Sequence, residues 1–277
     1  MNIDSHQHFW SYDPQRDAWI TSEMAVLQRD FMPDDLLPEL KANHIAGCVA
    51  VQVDQSEEGT EFLLGLAESR DFIKGVVGWV DLCSPRVAER LEYFARSPKL
   101  RGFRHIVQSE PDDRFLLRPD FCRGAGLLKQ FGFTYDILIY PRQLPAALEF
   151  VAKFPDQRLI VDHMAKPLIR TKEIEPWAAS MRQLAQSANL YCKVSGLVTE
   201  ADWKRWQPED FTPYLDVVFE AFGPRRLLFG SDWPVCQVAA NYAQVKGLIE
   251  MYTNQLAPQE KERIFGLNAI EFYGLNS

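Results

Sequence analysis

The sequence of 277 residues lacks several features that would define a function class directly. It contains no G-x-G-x-x-G after a predicted strand and no G-x-x-x-x-G-K-[ST] segment, which excludes the common nucleotide-binding motifs. No segment is rich in glycine and serine, low in complexity, or apolar over a membrane-spanning length. The five cysteines are widely spaced without a C-x-x-C pair, so we expect reduced, mostly buried thiols. These absences favour one globular domain over residues 1–277.

Charge and the N-terminal residues narrow the expected partners and location. The net charge is −8 and the lysines and arginines are scattered, which argues against nucleic acid as the main partner. The N-terminal residues include histidine and aspartate where a signal peptide would have a basic region and then an apolar one. We therefore expect a cytoplasmic protein with a small-molecule partner and no membrane association. A homo-oligomer is left open.

Short apolar segments rich in β-branched residues alternate with amphipathic stretches along the chain. The predicted strands are Ile3–Phe9, Gly47–Val53, Ile73–Val80, Leu100–Val107, Thr134–Tyr140, Arg158–His163, Leu190–Ser195 and Arg226–Gly230. Predicted helices between them include Thr60–Ser69, Pro85–Ala95, Gln143–Phe154, Pro176–Ala188 and Pro213–Phe222. Strands alternating with helices over this length predict a single-domain α/β fold, the (β/α)8 TIM barrel, rather than an open doubly wound sheet.

Polar residues follow these strands at the end where such barrels hold their active sites. His6 and His8 lie on one face of the first strand, because strand side chains alternate, and can serve one metal ion or one substrate atom. His163 ends the sixth strand and Asp232 follows the eighth. His163 can also cap a strand, and Asp232 can also be a turn or helix-capping residue. We take these four residues as candidate catalytic or metal-binding groups.

A second set of candidates lies near the same end of the barrel. His105 is a candidate catalytic residue within the fourth strand, and Arg104, Lys166, Trp79 and Trp233 are candidate substrate-binding residues. Each has a structural alternative: a hydrogen-bonded core histidine, an ion pair within the barrel, or a packed tryptophan. Near the mouth of a barrel, the tryptophans can instead stack on a sugar ring.

The combination of these segments resembles the amidohydrolase superfamily, in particular the branch called amidohydrolase family 2. The matching segments are the H-x-H of His6 and His8, Val161–Pro167 around His163, Gly230–Pro234 around Asp232, and the closing segment Ile264–Tyr273. Within that branch, Leu100–His105 followed by Gln108–Asp112 resembles hydrolases of L-fuconolactone and L-rhamnonolactone. The resemblance implies a barrel enzyme that opens a sugar-acid lactone.

The resemblance also implies at most one divalent metal ion. Many superfamily members have a carboxylated lysine on strand 4 and a histidine on strand 5, and this sequence has neither at those strand ends. One ion would be held by His6, His8 and Asp232, with His163 as a further ligand, and zinc suits this donor set. A metal-independent reaction stays open, because lactone-hydrolysing relatives differ in their need for metal.

The expected mechanism makes Asp232 the general base that activates water. His6 and His8 hold the metal or donate hydrogen bonds to the oxyanion, while His105, His163 or Arg104 complete these contacts or bind ring hydroxyls. Three alternatives remain. A decarboxylase of the same superfamily typically uses a histidine after strand 5, which is lacking here, and an isomerase could use the same base. A non-catalytic binding barrel would not require the convergent histidines and aspartate.

Overall fold

The computed structural model describes residues 1–276 and contains one closed layer of parallel strands surrounded by helices. The strands are β1 (Ile3–Gln7), β2 (Gly47–Val51), β3 (Ile73–Gly78), β4 (Leu100–His105), β5 (Thr134–Ile137), β6 (Leu159–Val161), β7 (Leu190–Val194) and β8 (Leu227–Phe229). The helices are α1 (Pro33–Ala42), α2 (Glu57–Ser69), α3 (Val87–Phe94), α4 (Pro119–Ala125), α5 (Leu144–Lys153), α6 (Trp177–Leu184), α7 (Pro208–Phe222), α8 (Tyr242–Tyr252), α9 (Pro258–Glu262) and α10 (Asn268–Tyr273).

The strands pair in chain order, each parallel to the next, and a bridge between Gln7 and Trp233 joins β1 to the segment after β8. Parallel strands of this kind are covered on both faces, which explains why they read as apolar runs. The larger hydrophobic core lies between the strands and the surrounding helices. A smaller core fills the barrel interior, where residues such as Val49 and Leu228 pack with Phe272 and Tyr273 of α10. The C-terminal helix therefore plugs one end of the barrel.

The predicted (β/α)8 barrel is confirmed, and every predicted strand is present. Most strands end earlier than predicted, because the chain turns out of the sheet at the residues that face the cavity. The first strand, for example, ends at Gln7 and not Phe9, and the eighth ends at Phe229 and not Gly230. Helix α7 begins at Pro208 rather than Pro213, since a proline at the first helical position loses no intrahelical hydrogen bond.

Within residues 1–276, no helix combines the length and the apolar character needed to cross a bilayer.

Candidate active site

A cavity of about 460 Å³ opens at the carboxyl ends of the strands, where barrels of this type place their sites. Its acidic, basic and histidine lining residues are His8, Arg104, His163, Lys166, Glu200 and Asp232. Its apolar lining residues include Trp19, Met24, Val53, Ile106, Leu138, Trp203, Val235 and Val238. Polar groups thus lie on an otherwise largely apolar wall, as is usual for small-molecule sites.

Three predicted residues converge on one point at this end of the barrel. The Nε2 atoms of His6 and His8 are 3.2 Å apart. The Oδ1 atom of Asp232 is 3.3 Å from His8 Nε2 and 3.9 Å from His6 Nε2. All three side chains are almost completely buried. The sequence prediction that His6 and His8 share a face, with Asp232 brought beside them by barrel closure, therefore agrees with the geometry.

The backbone around the seam between β1 and β8 sets the position of Asp232. Its N–H donates to the carbonyl of His6 at 2.8 Å, and its φ of +56° lies in the left-handed region, which non-glycine residues seldom occupy. Gly230 allows the close approach of the two strands, because a Cβ there would lie 2.6 Å from the Cβ of His6. The seam thus holds Asp232 in a strained backbone conformation next to the histidines.

Hydrogen bonds assign the protonation pattern of the two histidines. His8 Nδ1 is 2.8 Å from the carbonyl of Val51, so Nδ1 carries the proton and Nε2 presents its lone pair to the cluster. Arg104 Nη1, which can only donate, lies 3.2 Å from His6 Nε2, so this Nε2 is an acceptor too. His6 Nδ1 lies 3.2 Å from Lys193 Nζ and 3.4 Å from Asp162 Oδ1. Burial, followed by the charge of Lys193, lowers the pKa of His6 well below its usual value and keeps the imidazole neutral.

These residues fit a divalent cation. Two imidazole lone pairs and one carboxylate oxygen within 3.2–3.9 Å of one another are acceptors only, and a shared cation satisfies all three. Ligands of a tetrahedral zinc ion at about 2.0–2.1 Å are separated by roughly 3.3 Å, close to these distances. His163 belongs to a second, overlapping group with His6 and Asp162. The chain can therefore hold one divalent ion at this point.

Arg104 competes with a cation for the same position. Its Nη1 atom lies 3.2 Å from His6 Nε2 and 3.0 Å from Asp162 Oδ2. A guanidinium is always protonated and has no acceptor atom, so it donates into the lone pair that a metal ion would use. The contact favours weak metal binding.

A buried ionic network lies beneath His6. Lys193 Nζ contacts Asp136 Oδ2 at 2.6 Å and Asp162 Oδ1 at 3.0 Å. Burial raises the pKa of Asp136 to about 6, whereas Lys193, His6 and Arg104 outweigh burial and hold the pKa of Asp162 well below its usual value. The network therefore keeps a carboxylate at the Nδ1 side of His6 and fixes its ring.

Asp232 and His163 differ in their charge at neutral pH, because their surroundings shift their pKa values differently. Burial opposes ionisation of Asp232, yet its neighbours His163, His8 and Lys166 lower its pKa below the usual value, so it is a carboxylate at neutral pH. Burial lowers the pKa of His163 to about 4 against the opposing effect of Asp232, so the imidazole is neutral at the same pH. His163 Nδ1 lies 2.9 Å from Ser195 Oγ, and Nε2 lies 3.9 Å from Asp232 Oδ1.

A left-handed turn from His163 to Lys166 carries two of the candidates. All four residues have φ between +50° and +56°, and the N–H of Lys166 donates to the carbonyl of His163 at 2.8 Å. Residues three apart in such a turn lie on the same side, so both end side chains line the cavity. Gly196, with φ of +63°, makes room for this turn, because a Cβ there would lie 2.5 Å from His163 Nδ1.

The structure does not bring three of the candidates to the cavity. His105 accepts from Trp79 Nε1 at 3.2 Å, faces Glu110 Oε1 at 2.7 Å and stacks on Phe115. His105 is thus a hydrogen-bonded structural histidine, with its partner Trp79 beside it. Trp233 is 1% exposed and packs edge-on against aromatic rings, so it does not present a stacking face to a ligand.

Sequence reasoning missed several residues that the structure places at or beneath the site. Lys193 and Asp136 are charged residues inside the apolar strands β7 and β5, and such residues are rarely buried without a partner. That pattern could have identified them. Glu200 gave no comparable signal, because an acidic residue in the segment after a strand is common. Asp4 lies beneath the site in β1, where its Oδ1 accepts from the His6 and Ser231 backbone amides at 3.1 and 2.9 Å.

The chain is similar to known proteins over nearly its whole length. Residues 3–275 match the amidohydrolase family model. The chain is 41% identical to an L-fucono-1,5-lactonase of Burkholderia multivorans, over 99% of this chain and 96% of the relative. It is 36% identical to an L-fucono-1,5-lactonase of Burkholderia ambifaria, over 100% and 96% of the two chains. A crystal structure of a Burkholderia multivorans amidohydrolase with bound zinc matches with a TM-score of 0.96 and 41% identity, and each chain is covered in full. The chain therefore belongs to the amidohydrolase family.

Proposed function

We propose that the protein hydrolyses a sugar-acid lactone, an aldonolactone such as L-fuconolactone or L-rhamnonolactone. The observation that carries the proposal is the convergence of the Asp232 carboxylate with His6 and His8 in a buried cluster that borders the cavity. The lactonases named above support it, because each is similar to this chain over nearly its whole length. The expected partner is therefore a small-molecule lactone, and the cytoplasmic location remains a prediction.

Asp232 acts as the general base. Its carboxylate is ionised at neutral pH and borders the cavity, so it can take a proton from a water molecule held against the lactone carbonyl carbon. The strained, hydrogen-bonded backbone keeps the carboxylate in place and limits the motion needed before proton transfer. General base catalysis of this kind contributes about 10²–10⁴-fold to the rate.

The histidines and Arg104 stabilise charge on the carbonyl oxygen. His6, His8 and Asp232 would hold a divalent ion, for which zinc suits the donor set, and such an ion would polarise the carbonyl or the attacking water. Arg104 lines the cavity with a fixed positive charge, which favours an oxyanion in a buried site. His163 borders the same region and donates or accepts at Nε2, since Nδ1 is occupied by Ser195.

The ring oxygen needs a proton when the tetrahedral intermediate collapses. Asp232 holds the proton that it took from water, so it can deliver that proton to the leaving alkoxide. The carboxylate returns to its ionised form and the open-chain hydroxy acid leaves. One carboxylate thus serves both proton transfers.

The proposal is tested by assaying the purified protein on a panel of aldonolactones with a pH indicator, with and without exhaustive chelation. Acid release above the spontaneous rate from at least one aldonolactone is the expected result. Elemental analysis of the same preparation should show less than one zinc ion per chain, because Arg104 competes at His6 Nε2. Two ions per chain would mean that a ligand has been overlooked.

The same assay separates the alternatives. Carbon dioxide release from an aromatic acid, with no acid release from any aldonolactone, would contradict this proposal and indicate a decarboxylase. Full activity after complete metal removal would keep Asp232 as the base. Arg104 would then stabilise the carbonyl oxygen, because the Nε2 atoms of His6 and His8 present lone pairs.

A further inference from the structure

Lys166 and Glu200 form a charged pair on the cavity wall that the proposed proton transfers do not use. Lys166 Nζ and Glu200 Oε1 are 3.5 Å apart, and the two side chains are only 16% and 19% exposed. Both residues line the cavity. Neither belongs to the groups of histidines and carboxylates that converge on the metal position.

The fold holds this pair in place from two loops. Lys166 ends the left-handed turn after β6, and Glu200 ends the short 3-10 helix Val198–Glu200 after β7. The N–H of Arg170 donates to the carbonyl of Glu200 at 3.0 Å and ties the two loops together. Four consecutive left-handed residues cost on the order of 1–2 kcal/mol each, so the position of Lys166 is maintained against backbone strain. Such strain is found mostly at functional sites.

The pair leaves part of its hydrogen-bonding capacity for another molecule. A charge-assisted hydrogen bond between ammonium and carboxylate is about 2.7–2.9 Å long, and this pair is more widely separated. Lysine offers three donors and a carboxylate offers only acceptors. Trp203 lies on the same wall, and its Nε1 donates to Thr199 at 2.9 Å, so its polar atom is already used. A donor, an acceptor and an aromatic surface thus border one part of the cavity.

We propose that Lys166 and Glu200 form a diol-binding subsite that recognises two neighbouring hydroxyls of the substrate. The proposal rests on the proposed lactone hydrolysis and names the part of the substrate that the pair binds. A hydroxyl both donates and accepts, so one hydroxyl accepts from Lys166 while its neighbour donates to Glu200. A lactone without these hydroxyls displaces water from the two partly buried charged groups and offers them no hydrogen bond in return, so the site discriminates against it.

The test compares Glu200→Gln and Lys166→Met on two substrates. One is the best aldonolactone of the panel, and the other is the unsubstituted lactone of the same ring size. Glu173→Gln and Lys204→Met are the matched controls, because both residues are exposed and lie in the same two loops. If the unsubstituted lactone is hydrolysed too slowly to measure KM, it is tested as an inhibitor of aldonolactone hydrolysis, and its inhibition constant is compared between variants. Thermal unfolding checks that each variant is folded.

We expect each site variant to lose about ten- to a hundredfold in kcat/KM for the aldonolactone, the value of a hydrogen bond to a charged group. The unsubstituted lactone should be bound or hydrolysed by Glu200→Gln within about twofold of wild type, and the controls should be unchanged on both. Lys166→Met also removes a charge that lowers the pKa of Asp232, so its effect is measured as the ratio of kcat/KM for the two lactones, which should fall about ten- to a hundredfold. An equal loss on both lactones would overturn the proposal and place the pair in the chemical step. No loss on either would place hydroxyl recognition elsewhere in the cavity. Absence of any lactone hydrolysis by the wild type would instead refute the proposed function.

Discussion

At the residue scale, the site depends on two buried groups whose protonation states are set in opposite directions. Asp232 is kept ionised by the groups around it, although burial works against its charge. His163 is kept neutral, since burial outweighs the carboxylates beside it. A carboxylate that is ready to accept a proton therefore faces an imidazole that does not neutralise it.

Replacing Asp232 by asparagine should abolish turnover and leave the fold intact. The amide keeps the size of the side chain but cannot take a proton from water, so kcat should fall by at least about a hundredfold. The measurement is kcat on the best aldonolactone together with circular dichroism of the variant. Retention of more than about a tenth of wild-type kcat would show that Asp232 is not the base, and His163 would be the next candidate.

The depressed pKa of His163 predicts acid-dependent stability. Its folded-state pKa of about 4 lies below the value of 6.5 for an unperturbed histidine. The neutral imidazole thus contributes stability above pH 6.5 that is lost as the pH falls towards 4. His163→Gln removes this dependence. Between pH 7.5 and 4.5, wild type should lose about 2–3 kcal/mol more of its unfolding free energy than the variant.

Urea unfolding at the two pH values, with chelator present, measures this difference. His44→Gln is the control, because His44 is exposed and lies at the opposite end of the barrel. Equal losses in wild type and His163→Gln would contradict the assigned burial effect.

At the element scale, the loops after β6, β7 and β8 do more than connect strands to helices. The β6 loop contains the left-handed turn that presents His163 and Lys166, and the segment after β7 contains Gly196, which packs against His163. In the loop after β8, the N–H of Asp232 donates to the carbonyl of His6. The backbone of each segment thus places its side chain before any ligand binds.

Gly196→Ala should disturb this arrangement specifically. A methyl group at this position would lie 2.5–2.7 Å from ring atoms of His163, and the backbone φ of +63° disfavours any residue with a Cβ. We expect a loss of unfolding free energy of about 1–3 kcal/mol and a fall in kcat of about tenfold or more. Gly65→Ala in α2 is the control, because a Cβ there meets nothing within 4 Å. Wild-type kcat in Gly196→Ala would mean that the His163 position is not critical.

At the scale of the whole molecule, closure of the barrel assembles the site. Residues of the first strand and of the last βα loop come together only because β1 and β8 meet. Asp4 Oδ1 accepts from the amides of His6 and Ser231, and its Oδ2 accepts from Tyr242 at 2.9 Å. Ser5 Oγ adds a 2.6 Å bond to the carbonyl of Phe229. Side chains of β1 therefore hold the seam at which His6 and Asp232 face each other.

Asp4→Ala should weaken this seam and the site together. The substitution leaves several buried donors without an acceptor, which should cost roughly 3–5 kcal/mol of unfolding free energy. Activity should also fall, because the seam aligns Asp232 with His6. Chemical denaturation and kcat/KM are the measurements, with Asp34→Ala at an exposed position as the control. Loss of stability without loss of kcat/KM at low temperature would show that alignment survives without Asp4.

The sequence by itself determined the barrel, the order of its strands and the cluster of His6, His8 and Asp232. These follow from local patterns: alternating apolar segments predict the strands, strand geometry places two histidines on one face, and parallel topology places strand ends at one edge. The family resemblance depended on contiguous segments around those same residues.

Only the tertiary structure decided which polar residues reach the cavity and which protonation state each of them has. His105 ends strand β4 at the carboxyl end of the barrel, where the other candidates also lie, yet Trp79 and Glu110 occupy both of its ring nitrogens. Lys193 stands within an apolar strand, and its role beneath His6 depends on carboxylates from β5 and the end of β6. The hydrogen-bond partners and the burial of these side chains depend largely on residues from other strands and loops, so local sequence patterns do not predict them.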